Sequence, residues 1–253
     1  MNRRRFVSGS AIAAAAIALP RSARAANAPA RIPIGFLGVT YSHGPAKLEL
    51  ALKSPDWEFV GACDPTPAGR QICAKLGAKM ISQDELFARA AELDLPVLLH
   101  PAKPLTIEFV KGYEMTSSLG NMFDNTIALT RLIMSGLLDE FPTLKLVCPH
   151  LGGTLPYIVG RLDHQITVLK RGPQNLQRKP SDYVRSIYMD IVSPLPEAMR
   201  FALDFSGPDK LLFSSDHPWV QPKEILDPFL SLKLSAATEA KILSGNARKL
   251  FKV

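Results

Sequence analysis

Short apolar runs that end in a polar side chain recur in the second half of the chain. The run LPVLLHP contains His100, LKLVCPH ends at His150, and LLF leads through two serines to Asp216. Runs of this length, bounded by turn residues, are typical of strands that are buried on both faces of a parallel sheet. The pattern therefore predicts three parallel strands, each with a histidine or an aspartate at its carboxyl end.

Segments with apolar residues at helical spacing alternate with the predicted strands. In residues 121–140, for example, leucine and isoleucine recur on one face of a helix. Alternating strands and helices indicate βα units and a parallel sheet, whose strands share one carboxyl edge. The sequence thus predicts an α/β fold with a mostly parallel sheet, in which His100, His150 and Asp216 surround one cavity. The other predicted helices cover residues 45–53, 66–76, 83–92, 153–170 and 196–205, with a last one after Ser235, and the other predicted strands cover residues 34–39, 57–63, 79–81 and 187–192.

The first 25 residues have the three parts of an export signal. The segment NRRRFV resembles a twin-arginine motif, and an apolar run at residues 11–19 follows it. That run is shorter than the about 20 residues that span a bilayer, and ARA at residues 23–25 has the form of a signal-peptidase site. We therefore predict a twin-arginine signal peptide over residues 1–25, a linker over residues 26–31, a periplasmic location, and no membrane contact after the signal is removed.

Composition and charge indicate which class of partner to expect. Of 253 residues, 47% are hydrophobic and 21% are charged, as in an ordinary globular chain. The formal net charge is +7, but five of these charges are arginines within residues 1–25, where there is no acid, which leaves +2 for the remainder. The remainder has no dense basic patch interleaved with aromatic residues. Nucleic acid is therefore not an expected partner, and a small-molecule substrate is.

The three cysteines indicate core packing. Cys63 and Cys148 lie within apolar strand patterns, and the sequence contains no C-x-x-C pair. An odd number of cysteines does not predict a disulfide framework, and buried cysteine behaves as a small apolar residue. A disulfide bond between Cys63 and Cys73 is kept as an alternative for an oxidising compartment.

Residues 32–87 resemble the amino terminus of the glucose–fructose oxidoreductase and inositol dehydrogenase family, a Rossmann family that binds NAD(P). The resemblance lies in IGFLGVTYSHG, WEFVGACDP and GAKMISQDEL. It implies a βαβ segment with a pyrophosphate near Gly38 and Gly44 and a ribose hydroxyl on Asp64. However, a threonine or tyrosine stands at the usual middle glycine, and the family's catalytic half is missing. We therefore predict a Rossmann-like βαβ segment in which NAD(P) binding is not expected.

Residues 88–253 resemble the amidohydrolase-related family of metal-dependent (β/α)8 barrels, which includes aminocarboxymuconate-semialdehyde decarboxylase. The resemblance lies in ELDLPVLLHP, ALTRLIMSGLLDEFPTLKLVCPHLGG, SIYMDIVS, KLLFSSDHPW and ILSGNARKLF. A full barrel takes about 250 residues, so this part amounts to a carboxyl-terminal half. The expected fold is a partial TIM-like barrel preceded by the Rossmann-like segment. Its unpartnered strands are expected to be covered by that segment or by a second copy of the chain in a homo-oligomer.

The same resemblance implies a metal-dependent reaction. The family holds a divalent metal, usually zinc, with a His-x-His pair, a further histidine and an aspartate, while another histidine acts on the metal-bound water. By this match His100 and Asp216 are metal ligands, and His150 and Asp216 are the catalytic residues. The sequence contains no His-x-His, so a third ligand is left to His43 or His150. The expected function is a hydrolase or carboxy-lyase acting on a small carboxylated or cyclic molecule, with activity impaired by the missing pair.

Two other functional hypotheses stay open. The first is an NAD(P)-binding oxidoreductase fragment that uses residues 32–87, and the second is an inactive chimera of the two parts. Among the remaining acids, Asp163 and Asp190 are interpreted as solvated or capping carboxylates, and Asp190 in YMDIV is also a candidate to line the pocket.

Overall fold

Helices alternate with mostly parallel strands along the chain, which confirms the predicted α/β class. The computed structural model describes residues 15–18, 31–41, 43–102 and 104–252, with the backbone alone for residues 15–18. Two compact units divide the chain. The first comprises Met1–Asp124 and Phe141–Lys145, and the second comprises Asn125–Glu140 and Leu146–Val253.

Four strands form the sheet of the first unit, in the order β3, β2, β1, β4. Strands β2 and β3 are parallel, whereas β1 is antiparallel to both β2 and β4. Strands β2, β3 and β4 therefore run in one direction and present their carboxyl ends at the same edge. Their bounds are β1 Ala15–Ala18, β2 Ile32–Leu37, β3 Trp57–Cys63 and β4 Pro96–Leu98.

Capping residues determine where helices of the first unit begin and end. The hydroxyl of Thr66 accepts a hydrogen bond from the backbone N–H of Gly69, and the hydroxyl of Ser82 accepts one from Glu85. Such side-chain caps satisfy N–H groups that have no partner within the helix. Gly77 ends the first of these two helices with a φ of 68°, a conformation that glycine adopts without strain. The helices are α1 Gly44–Lys53, α2 Pro67–Leu76, α3 Gln83–Glu92 and α4 Ile107–Val110.

A buried cluster joins the strands and helices of this βαβ segment. Phe36 of β2, Leu48 of α1 and Ala62 of β3 are all buried in it, together with Val39 and Cys73. The third predicted strand, at residues 79–81, is reduced to a single parallel bridge between Met80 and Ala62. The segment thus has the predicted β-α-β-α order and buries its own apolar faces.

Three parallel strands form the sheet of the second unit. Val147 of the first strand lies beside Tyr188 of the second, and Met189 lies beside Leu211 of the third. Met189 is fully buried, which agrees with the continuous apolar character of strands covered on both faces. The strands are β5 Lys145–Cys148, β6 Tyr188–Asp190 and β7 Leu211–Leu212, and the last two are shorter than predicted.

The single helix predicted over residues 121–140 is wrong, because the chain breaks at Ser135 and Gly136. Gly136 has a φ of 79°, and its N–H bonds to the carbonyl of Ile133, so the helix ends there. The remaining helices are α5 Asn121–Met134, α6 Leu137–Glu140, α7 Pro149–Gly152, α8 Leu155–Thr167, α9 Pro180–Ser186, α10 Pro196–Ser206, α11 Pro222–Ser231, α12 Ala236–Ala240 and α13 Asn246–Phe251, with 3-10 turns at Gly112–Glu114 and Pro208–Lys210 and π turns at Thr116–Gly120 and Lys241–Gly245.

All three cysteines are free thiols, so the structure contains no Cys63–Cys73 bridge. Cys148 is fully buried, which confirms its prediction as a core residue, whereas Cys63, predicted in the same way, is only partly buried; Cys73 is also fully buried. Burial also raises the pKa of the Cys63 thiol to about 11. These thiols therefore stay protonated at neutral pH and are poor nucleophiles.

The predicted export signal lies mostly outside the described residues, since residues 1–14 and 19–30 are not described. Its residues Ala15–Ala18 pair as β1 between β2 and β4. Export and the boundary predicted between residues 87 and 88 stay predictions. Within the described part of the chain, no helix is long and apolar enough to cross a membrane.

Candidate active site

His150 lies in a tight left-handed turn directly after β5. The φ angles of His150 and Leu151 are 56° and 54°, and Gly152 and Gly153 continue the turn at 76° and 67°. Each residue of this kind other than glycine costs about 1–2 kcal/mol, and such conformations persist where surrounding contacts hold them. The turn directs the His150 side chain away from the path of a regular helix.

The carboxylate of Asp190, at the end of β6, holds this turn. Its Oδ1 accepts hydrogen bonds from the backbone N–H of His150 at 2.7 Å and of Val192 at 3.1 Å. Desolvation raises the pKa of the Asp190 carboxyl, while the neighbouring His150 opposes that shift. Asp190 is thus a partly buried capping carboxylate that fixes the backbone of His150, which confirms the capping alternative of its interpretation from the sequence.

The imidazole of His150 has polar neighbours on both sides. Its Nδ1 lies 3.1 Å from Nδ2 of Asn125 in α5, and its Nε2 lies 3.9 Å from Oδ2 of Asp216. The His150 side chain is 14% exposed and the Asp216 side chain is 40% exposed. The Asp216 carboxylate therefore reaches solvent. The His150 ring lies largely below the surface, and its Nε2 faces that carboxylate.

Asp216 occupies a second left-handed position, in the loop after β7. Its φ is 61°, and its carbonyl accepts a hydrogen bond from the N–H of Trp219 at 3.0 Å. The peptide bond between His217 and Pro218 is cis. The loop thus turns sharply at Asp216, which directs the carboxylate toward His150.

Two buried polar residues in the second turn of α5 support the same region. Asn125 and Thr126 are 1% and 6% exposed, although buried polar residues are uncommon on a helix face. The hydroxyl of Thr126 accepts a 2.8 Å hydrogen bond from the N–H of Thr154, and the two hydroxyls lie 3.0 Å apart. The sequence interpretation missed both residues. The available signal was the polar DNT triplet at the start of an otherwise apolar helix.

His100 lies in the first unit, just after β4. Its Nδ1 is 2.8 Å from the carbonyl oxygen of Pro101, and its ring centroid is 5.0 Å from that of Tyr41. Tyr41 is 7% exposed, and burial raises the pKa of its hydroxyl to about 12. A histidine that donates Nδ1–H to a carbonyl carries its lone pair on Nε2, the usual form of a metal-binding imidazole.

The predicted nucleotide-site residues have structural contacts within the first unit. The carboxylate of Asp64 is 2% exposed and accepts hydrogen bonds from the backbone N–H groups of Val39 and Thr66 at 2.8 and 2.9 Å. Gly38 has a φ of 82°, and a Cβ at Gly44 would lie 2.3 Å from the carbonyl oxygen of Val39. Asp64 thus ties the β2 loop to the start of α2, and NAD(P) binding is left as an untested alternative.

The donor types suit a divalent metal ion, since imidazole and carboxylate are common ligands of zinc and manganese. His150 and Asp216 face each other within the second unit, and His100 belongs to the first unit. Within the described ranges, no group of three or more histidine, cysteine, aspartate or glutamate side chains is arranged to hold an ion. The prediction that His100, His150 and Asp216 share one cavity stays a prediction.

Proteins of known activity are similar to this chain. γ-Resorcylate decarboxylase of Polaromonas sp. (strain JS666) is 32% identical over 170 residues, which cover 64% of this chain and 52% of that protein. 6-Methylsalicylic acid decarboxylase of Penicillium expansum is 29% identical over 162 residues, which cover 61% of this chain and 49% of that protein. The chain spans about half the length of these relatives.

Solved structures also match. The dihydroxybenzoic acid decarboxylase of Polaromonas sp. JS666, with bound manganese and 2-nitroresorcinol, superposes with a TM-score of 0.63 at 26% identity, over 83% of this chain and 74% of that one. The 5-carboxyvanillate decarboxylase of Sphingomonas paucimobilis gives a TM-score of 0.64 at 22% identity, over 85% and 76%. These likenesses support the predicted relation to the TIM-like barrels.

A sequence model of one family covers most of the chain. The Amidohydrolase model, Amidohydro_2, matches residues 54–253. The match includes the strands that carry His100, His150 and Asp216, and it begins within the segment that resembles a Rossmann domain. The chain therefore belongs to the amidohydrolase family.

Proposed function

We propose that this chain is a metal-dependent carboxy-lyase that removes the carboxylate group from an aromatic acid. The observation that carries the proposal is the pairing of His150 with Asp216, at 3.9 Å, beside the carboxyl ends of parallel strands. Buried contacts fix the imidazole and leave the carboxylate accessible, which is what a proton-transfer site next to a bound substrate requires.

The relatives support hydroxybenzoic acids as the substrate class. γ-Resorcylate, 6-methylsalicylic acid and dihydroxybenzoic acid appear in the names of proteins that this chain resembles. Each is an aromatic acid with a hydroxyl group near its carboxylate. We therefore propose an ortho-hydroxybenzoic acid as substrate, which narrows the carboxylated or cyclic molecule expected from the sequence.

His150 is the proposed proton donor. Loss of carbon dioxide leaves an electron pair on the ring carbon, and that carbon must gain a proton. In the proposed step, the bond between the ring carbon and the carboxylate breaks, the ring carbon takes a proton from Nε2 of protonated His150, and carbon dioxide leaves. His150 then regains a proton from solvent. Imidazole suits this role because it exchanges protons near neutral pH.

We propose that His100 in the first unit and Asp216 in the second unit are each able to act as a ligand of a divalent ion. When bound, such an ion supplies positive charge that attracts and polarises the oxygen atoms of an acidic substrate. Manganese is present in a relative's structure, and zinc is the usual ion of the resembled family, so both are candidates. The absence of a His-x-His pair from the sequence predicts weaker ion binding than a three-ligand site provides.

The test uses the purified full chain, loaded with manganese or zinc and assayed for loss of a panel of ortho-hydroxybenzoic acids by absorbance and by release of carbon dioxide. We expect metal-dependent turnover that falls about 100-fold or more in His150→Gln and in Asp216→Asn. The matched control is His164→Gln, because His164 is an exposed histidine of α8 and should leave turnover within about twofold.

Two results contradict the proposal. The first is turnover in His150→Gln that equals that of the unaltered chain. The second is the absence of turnover with every acid of the panel, while mass spectrometry of the eluted ion shows that the chain has bound one equivalent of metal. Circular dichroism of each variant separates loss of chemistry from loss of fold.

A further inference from the structure

The buried amide of Asn125 contacts the His150 ring on the side away from Asp216. Asn125 is 1% exposed and lies on α5, and its Nδ2 is 3.1 Å from Nδ1 of His150. Burying an amide costs free energy unless it gains hydrogen bonds. Its position against the imidazole therefore indicates a specific contact rather than general packing.

We infer that Asn125 positions His150 by donating an N–H of its side-chain amide to Nδ1, which keeps the proton of the neutral ring on Nε2. This inference rests on the proposed function only in giving His150 a proton-transfer role. The contact itself is a property of the folded chain, and nothing in the sequence interpretation assigned Asn125 a role.

The chemistry of the two groups fixes which nitrogen carries the proton. A neutral imidazole has one N–H and one lone pair, so an amide N–H that points at Nδ1 requires the lone pair there. The proton then lies on Nε2, the nitrogen 3.9 Å from Oδ2 of Asp216. In the neutral ring, the amide orientation therefore determines whether Nε2 presents a donor or an acceptor to the accessible carboxylate. The doubly protonated ring of the proposed proton transfer carries an N–H on both nitrogens, so in that state the amide turns over and Oδ1 accepts from Nδ1–H.

The opposite amide orientation predicts the opposite tautomer. If the amide were turned over, Oδ1 of Asn125 would accept a hydrogen bond from Nδ1–H, and the lone pair would move to Nε2. In the described part of the chain, the buried Oδ1 has no hydrogen-bond partner. The two orientations thus make different predictions for one measurable property, the protonated nitrogen of His150.

A second set of contacts holds the ring against Asn125. Asp190 anchors the backbone N–H of His150, and Thr126, the neighbour of Asn125 on α5, bonds to Thr154 just beyond the His150 turn. The helix and the turn are therefore joined independently of the Asn125 amide. This makes Thr126→Val a matched control, because it removes a buried hydrogen bond between the same two elements and leaves the amide in place.

The experiment measures the ring nitrogens of His150 by two-bond ¹⁵N–¹H correlation in the full-length, metal-free chain. His150 is assigned by the signal that disappears in His150→Gln. We expect a lone-pair-type Nδ1 and a protonated-type Nε2 in the unaltered chain and in Thr126→Val. In Asn125→Leu both nitrogens should move toward averaged values, and in Asn125→Asp the assignment should reverse, because a carboxylate accepts from Nδ1–H.

A protonated Nδ1 in the unaltered chain overturns the inference, and this result does not depend on the folding of any Asn125 variant. An unchanged tautomer in folded Asn125→Leu also overturns it. In the metal-loaded chain, Asn125→Leu should lower kcat by up to about 100-fold with little change in KM, as expected for a misplaced proton donor. If the tautomer result holds but no aromatic acid is decarboxylated, the proposed function fails while the positioning role stands.

Discussion

Oδ1 of Asp190 accepts a hydrogen bond of 2.7 Å from the backbone N–H of His150, so the partly buried acid of one strand fixes the turn that follows the neighbouring strand. The same oxygen accepts the N–H of Val192 at 3.1 Å. Because β5 and β6 are parallel neighbours, their carboxyl ends are close enough for this contact. The position of His150 therefore depends on a residue that belongs to a different strand.

We expect Asp190→Asn to destabilise the second unit by about 1–3 kcal/mol, because the new amide N–H₂ is buried and the charge-assisted acceptor is lost. The measurement is the midpoint of thermal and urea unfolding. Asp163→Asn is the control, since Oδ1 of Asp163 accepts one backbone bond, from Ser181 N–H, whereas Oδ1 of Asp190 accepts two. Equal losses in the two variants would contradict the assigned role of Asp190.

The close approach of the Asp64 carboxylate to α2 requires a glycine at position 69. A Cβ at Gly69 would lie 1.9 Å from Cγ of Asp64, whose carboxylate is held by Val39 and Thr66. We expect Gly69→Ala to destabilise the first unit by about 1–3 kcal/mol or more, because neither the carboxylate nor the helix can move without losing these bonds.

Gly160 of α8 is the matched control for Gly69, because a Cβ there would meet no atom within 4 Å. In Gly160→Ala we expect a gain of up to about 1 kcal/mol, since alanine favours a helix over glycine. Both variants are compared by thermal unfolding. Stabilisation by Gly69→Ala would show that Asp64 is not fixed as the structure describes.

Elements with local signals were predicted closely from the sequence. The bounds of β3 and α3 agree to the residue, and α2 starts one residue after the predicted limit because Thr66 is its cap. In each of these, apolar periodicity and a capping or breaking residue lie within the same short segment. Apolar periodicity and capping residues can be recognised directly in the sequence, without knowledge of distant contacts.

Features that depend on contacts between distant residues were not predicted. The polar triplet at residues 124–126 was a local signal for Asn125, but it did not specify the contact with His150, which is a consequence of packing. Asp190 was interpreted as a solvated or capping carboxylate, and its partner, the N–H of His150, could not be known from the sequence. The break at Gly136 was missed because the apolar spacing of α5 continues into α6. Tertiary contacts override local pattern at such positions.

A pH dependence of stability is expected from Asp124. The residue is 3% exposed, and desolvation raises the pKa of its carboxyl from 3.8 to about 6, against an opposing backbone hydrogen bond from Leu105. Between these two pKa values the folded chain holds a proton that the unfolded chain has released. The free energy of unfolding contributed by this group is therefore present below about pH 4 and falls as pH rises to about 6.

Asp124→Asn should remove that fall, so the variant gains stability relative to the unaltered chain as pH rises from about 4 to about 6. The measurement is the thermal midpoint at several pH values across this range. Asp204→Asn, at an exposed position of α10, should leave the pH profile unchanged. A profile that is the same in Asp124→Asn and the unaltered chain would contradict the raised pKa.

The ring of Tyr41 is expected to set the orientation of His100. Their centroids are 5.0 Å apart, and Tyr41 is buried. In Tyr41→Ala, we expect metal affinity to fall about 10- to 100-fold, as when a ligand loses the group that orients it. In Tyr41→Phe, which keeps the ring, affinity should change little. Titration calorimetry with manganese separates these outcomes, and equal losses in both variants would assign the effect to the hydroxyl.

Asn246 anchors the strand that leads to Asp216. Its Nδ2 donates hydrogen bonds to the carbonyl oxygens of Pro208 at 2.7 Å and Leu211 at 2.8 Å, and the residue is 6% exposed. Asn246→Ala leaves the buried carbonyl of Leu211 and the partly buried carbonyl of Pro208 without this donor, so we expect a loss of about 2 kcal/mol in unfolding free energy, measured by urea denaturation. Asn175→Ala, at an exposed position, should change it by less than about 0.5 kcal/mol. Because β7 immediately precedes the loop of Asp216, the Asn246 variant should also bind manganese more weakly, and unchanged binding with reduced stability would confine its role to the fold.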